Sequence, residues 1–156
     1  MRMQLMAVFA LCFATGLAQA EDQYKNGQEL TGTWRILATI PAGVPVCPGP
    51  DACTYQAMAT AISDGTVVQT AAIPNTTVGH GAWKRVGHRT FKMVALYFRV
   101  DGQGLQVGTS ETSIDAQVDT TGRNVTGLFS AVLRNMLGEE TLQYSGTVTG
   151  RRIEVP

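Results

Sequence analysis

The chain predicts an all-β fold, an eight-stranded antiparallel up-and-down barrel. Three observations carry that expectation. No long stretch repeats apolar residues at helical spacing, whereas period-two alternation recurs throughout. Turn sequences such as Ser63-Asp64-Gly65 and Asp119-Thr120-Thr121-Gly122 punctuate the alternating runs. All but one of the connections are short, as in a meander of neighbouring strands. Closure into a barrel would remove the exposed edges that invite aggregation. A β-sandwich is the alternative that similar strand signals allow.

The elements follow in order. Positions 1–20 have one charge, Arg2, then an uncharged run of 13 residues from Leu5 to Leu17, then Ala18-Gln19-Ala20. A basic start, a short apolar run and an A-x-A site predict a signal peptide cleaved after Ala20. The run is too short for a membrane-spanning helix, which needs about 20 residues. Export to a periplasm or medium is therefore expected, with no transmembrane segment. Residues 21–29 read as an N-terminal extension and 30–156 as the barrel domain.

The first strand is expected at about 32–40, with Trp34, Ile36, Ala38 and Ile40 on one face. The long connection 41–52 follows. The second strand, about 53–62, puts Tyr55, Ala57, Ala59 and Ala61 on one face. A row of small side chains leaves room inside a barrel. The third strand is expected at about 66–73 and the fourth at about 79–86, the latter with Gly79-His80-Gly81-Ala82-Trp83. The fifth, about 89–100, aligns Phe91, Met93, Ala95, Tyr97 and Arg99. The sixth, seventh and eighth follow at about 105–118, 124–134 and 141–155, and 135–140 is read as a turn or one helical turn.

Cys47 and Cys53 enclose five residues rich in Pro and Gly. In an oxidising compartment this spacing predicts a disulfide. A metal site is not expected, because zinc usually takes four ligands and no His is close in sequence.

Without its first 20 residues the chain keeps 11 basic and 12 acidic side chains and only three Lys. Lys84, Arg85, Arg89 and Lys92 lie among apolar residues and make no basic stripe. Nucleic acid binding is excluded on that ground. No metal, phosphate-loop or hydrolase motif appears, and no cofactor is expected.

Gly32-Thr33-Trp34 opens the first strand. A Gly-x-Trp at that place resembles the lipocalins and the wider calycin barrels. The resemblance implies that Trp34 plugs a closed end, with an Arg of the last strand, Arg151 or Arg152, packed over it as a cation–π stack. The chain is also similar to small bacterial barrel proteins without assigned function. They share the early Gly-x-Trp, an Asp-Gly hairpin, a Gly-x-Gly-x-Trp strand and a nearby Phe. Here these are Gly32 and Trp34, Asp64-Gly65, Gly79, Gly81 and Trp83, and Phe91. Trp34, Trp83 and Phe91 are therefore expected in the core, with Gly79 and Gly81 giving close packing against Trp83 or a bulge. The mid-chain Thr-Asp-Tyr signature of lipocalins is absent.

If Trp34 marks the closed end, connections 41–52, 74–78, 101–104 and 135–140 surround the open one. His88 then falls at the closed end and His80 faces outward, so neither is a catalytic candidate. Tyr97 and Arg99 would face the mouth, with Thr109, Glu111 and Ser113 as neighbours on the sixth strand. Arg99 could pair with Glu111 or offer its donor fork to a ligand.

Three readings follow. In the first, the barrel binds a small apolar or amphiphilic ligand, with Tyr55, Tyr97, Arg99 and Tyr144 as polar anchors. In the second, it is a cyclase or isomerase that shapes such a ligand, with Tyr97 and Glu111 or Arg99 as reactive groups. In the third, it is a packed barrel acting through its surface. Interior volume separates the third from the others.

Overall fold

The computed structural model describes residues 30–73 and 75–154. The expected signal segment and the 21–29 extension lie outside the described residues. Eight strands follow in order: β1 (Gly32–Ile40), β2 (Cys53–Ala61), β3 (Thr66–Ala71), β4 (Gly79–Gly87), β5 (Thr90–Val100), β6 (Gln106–Val118), β7 (Asn124–Arg134) and β8 (Glu140–Arg152). Each pairs antiparallel with the next, and β8 returns to pair with β1. The sheet is a closed barrel, so the sandwich alternative falls away. The 135–139 connection is a turn built on Asn135, whose Oδ1 accepts hydrogen bonds from the Leu137 and Glu139 amides. No helical turn forms there.

Alternation determines what faces inward. On β5, Phe91, Met93, Ala95 and Tyr97 are buried while Lys92, Val94, Leu96 and Phe98 are exposed. On β1, Trp34, Ile36 and Ile40 are buried. His80 is exposed on β4. Burying one face of every strand supplies most of the favourable free energy of such a fold.

One end of the barrel is filled. The Trp34 indole is fully buried, and its Nε1 donates to the Leu30 carbonyl at 2.8 Å. The Arg152 guanidinium lies over the ring, 4.4 Å from its centroid. It is held there by donating to the carbonyls of Thr31 and Gly122. Of the two arginines the resemblance allowed, Arg152 is the one that stacks. Trp83 donates to the Ile62 carbonyl at 2.8 Å and meets Phe91 edge-on, with ring centroids 5.8 Å apart. Val67, Val118 and Val125 complete this packed half.

The two glycines before Trp83 do something other than expected. A Cβ on Gly79 would lie 2.5 Å from the Tyr97 ring, and one on Gly81 would lie 1.8 Å from the Val94 carbonyl oxygen. They allow close approach of β5 rather than packing against Trp83. Gly79 is the seat of the Tyr97 ring.

Candidate functional site

The other half of the barrel is open, and the 41–52 connection packs against it. Within that connection Val44 and Cys47 bridge each other, and Val44 and Val46 pack on the core. A Cys47–Cys53 disulfide ties the loop to the start of β2. The Tyr55 hydroxyl donates to the Val46 carbonyl at 2.9 Å and pins it a second time. The loop is thus fastened by a covalent bond and a phenol.

On the adjacent side the wall is incomplete. β3 pairs with β4 only from Thr66 to Gln69, and Gln69 opposite Gly79 is the last pair. Beyond it the chain crosses toward β5. Thr76 bridges Arg99, and the Val100 amide donates to the Asn75 carbonyl at 2.8 Å. Ile73 and Thr76 from this crossing complete the cavity wall.

The cavity beneath has a volume of about 50 Å³. A water needs about 10–15 Å³ measured this way, so the space has room for a few waters in all. Ile36, Ala38, Ile114, Phe129 and Val148 make its apolar wall. Polar groups reach it from Tyr55, Gln69, Tyr97, Ser110, Thr112 and Tyr144. No Asp, Glu, Lys or Arg is among the residues that line it.

Tyr97 is only 5% exposed. Burial, and then the neighbouring Tyr144, push its phenol far above the ordinary tyrosine range. Burial also raises Tyr144, with Tyr55 adding to the rise and Arg99 opposing it. Three phenols therefore share one neighbourhood, with a guanidinium at its edge. The Phe129 and Tyr144 rings meet edge-on at 6.1 Å.

Most of the site residues expected from sequence meet here. Tyr55, Tyr97 and Tyr144 line the cavity. Arg99 is partly buried at the rim, opposite Gly108, and does not line the cavity. Glu111 requires a correction. It is exposed on the outer face of β6, opposite the exposed Leu96, and cannot pair with Arg99 inside the barrel. Thr109 and Ser113 share its outward face, and the inward residues are Gly108, Ser110, Thr112 and Ile114. The reason is a bulge: Arg99 pairs with Gly108 but Val100 with Gln106, so Val107 is left over. Gly108 also lets β7 come close at this point, because a Cβ there would lie 2.0 Å from the Arg134 carbonyl oxygen.

The alanine row of β2 also behaves differently from expectation. Ala59 pairs with Trp34, whose ring takes up the room. Only Ala57, with Ala71 beside it on β3, borders the cavity. Two lining residues, Gln69 and Ser110, were not identified from sequence. Both are buried polar side chains, and Gln69 stands on an otherwise apolar inward face, a mismatch that points to it.

Among the described residues no group of His, Cys, Asp and Glu could hold a metal ion, and no helix is long and apolar enough to cross a membrane. The chain matches no protein-family model and no curated protein.

Proposed function

We propose that this chain is an exported barrel that binds a small, largely apolar molecule in its open half, in the manner of the calycins it resembles. The observation that supports this most is the cavity itself, apolar-walled and bordered by three phenols, one of which, Tyr55, also holds the disulfide-tied loop. Gly32-Thr33-Trp34 with Arg152 over the indole supports the calycin likeness. The disulfide is compatible with export. At about 50 Å³ the cavity suits a slender ligand whose far end leaves through the mouth.

The isomerase reading is weaker, because Glu111 stands outside the barrel. The packed-barrel reading has one observation in its favour. Val94, Leu96 and Phe98 form an exposed apolar stripe on the outer face of β5, suited to contact with a partner.

Native mass spectrometry of the protein purified from the organism that makes it tests the proposal. The expected result is a stoichiometric bound mass of small-molecule size, lost when Ala57→Leu and Ala71→Leu fill the cavity. A bare protein that also fails to take up small apolar alcohols would overturn it.

A further inference from the structure

Val67, Gln69 and Ala71 share the inward face of β3. At this depth the pattern calls for an apolar side chain, yet Gln69 is there, 5% exposed. It lines the cavity, and its Oε1 is buried with no hydrogen-bond partner among the described residues. Its place is the cavity floor. Gln69 pairs across β2 with Ala59, which is itself opposite Trp34, so the packed half begins directly beneath it.

A buried amide oxygen without a donor is destabilising, a cost that a leucine of similar size would avoid. Such an acceptor gains a role when a ligand brings the donor. The terminal amide torsion is soft, so the oxygen can turn to a donor in the cavity at little cost. That donor must be uncharged. None of the lining residues carries a charge to balance an ionised head group at the floor. A hydroxyl satisfies the site best, since it donates to Oε1 and can accept from Nε2 of the same amide.

We infer that Gln69 is a ligand-recognising residue, and that the barrel selects a neutral hydroxyl compound which enters hydroxyl-first with its apolar chain toward the mouth. The inference rests on the binding reading and gives it a substrate class. It also assigns direction. Arg99 at the rim would favour the opposite sense, a carboxylate held at the mouth with the chain buried.

The test is a titration of the full mature chain with three probes of one length: 1-hexanol, its isomer 1-methoxypentane, and hexanoate. Amide shifts of residues bordering the cavity, read by NMR, give the affinities. The expected result is 1-hexanol binding at least tenfold more tightly than the ether, with hexanoate weakest. Gln69→Leu should erase the preference for the alcohol over the ether. Gln69→Met serves the same purpose if the leucine variant folds poorly. Equal affinity for alcohol and ether overturns the inference and leaves the binding reading standing. So does an alcohol preference that survives in both variants. Tightest binding of hexanoate, lost in Arg99→Met, overturns it in favour of the reverse orientation. Binding of none of the three overturns both the inference and the reading beneath it.

Discussion

The two halves of this barrel are made by the same eight strands, yet one is solid and the other is not. Two alanines show why. Ala59 and Ala57 are successive inward positions on β2. Ala59 faces Trp34, and the indole fills the space that the small side chain leaves. Ala57 faces Ile36 on one side and Ala71 on the other, both much smaller than an indole. The partner across the strand decides whether an alanine makes a core or a cavity. Hydrogen bonding divides less cleanly, since among the described residues each half leaves one buried polar atom unmatched, Arg89 Nε at the solid end and Gln69 Oε1 at the hollow one. At the solid end, Trp34, Trp83 and Arg152 each have carbonyl acceptors.

The largest effect expected from breaking this contrast is at Trp34. Trp34→Ala should remove about 3–5 kcal/mol of stability, the range for deleting a buried large aromatic. The loss also strips Arg152 of its stacking surface. Urea unfolding followed by circular dichroism measures it. A loss below about 1 kcal/mol would mean that the closed end collapses around the gap and is not the barrel's keystone.

Next in size is the disulfide. Replacing Cys47 and Cys53 together by Ser should cost about 2–3 kcal/mol, the chain-entropy value for so short a loop. Any loosening beyond that global cost should be confined to the hollow half. Hydrogen exchange should quicken at the amides of Gly43 and Cys47, which bond within the loop. Protection at the Trp83 amide, bonded to the Gly65 carbonyl, should follow global stability alone. Equal relative loosening at both ends would show that the loop supports the whole barrel.

The alanine pair gives a smaller and sharper test. Ala59→Val pushes methyl groups against Trp34 and should cost about 1–3 kcal/mol by overpacking. Ala57→Val extends into the cavity and should be tolerated within about 0.5 kcal/mol. Thermal midpoints of the two variants, compared side by side, decide it. Equal losses would mean that the cavity wall is as rigid as the core.

Much of this architecture was legible because each strand carries its own parity. Trp34 and Ile36, or Phe91, Met93 and Tyr97, announce an inward face without reference to a neighbour. The Pro- and Gly-rich spacing of Cys47 and Cys53 likewise contains its own closure. Glu111 was misplaced because its face was judged from a register across β5 and β6, and the bulge at Arg99 and Gly108 shifts that register. The run Ile114, Ala116 and Val118 at the far end of β6 holds the correct parity, since its alternates Ser113, Asp115 and Gln117 are polar. Gln69 stayed hidden for another reason. β3 is six residues long and carries Val on both faces, beside Gln69 inward and Thr66 and Thr70 outward, so alternation there has little contrast.

The smallest effect at neutral pH, and the most specific to the hollow half, concerns Tyr97. All three described tyrosines, Tyr55, Tyr97 and Tyr144, border the cavity, so their ionisation reports on that half. The folded chain holds the Tyr97 proton far more tightly than the unfolded chain does, because burial penalises the phenolate. Its contribution is therefore complete below the unfolded value of about 10 and is lost as pH rises through and beyond it. Tyr144 is shifted in the same direction and adds to the slope. Tyr97→Phe should change the urea midpoint little at neutral pH. Between about pH 9 and 11 the wild-type midpoint should fall more steeply than that of the variant, with Tyr144 leaving a residual slope in both. Parallel curves would mean that water reaches the Tyr97 hydroxyl freely. The ring on Gly79 would then line a wet channel, and the contrast between the halves would be one of packing without desolvation.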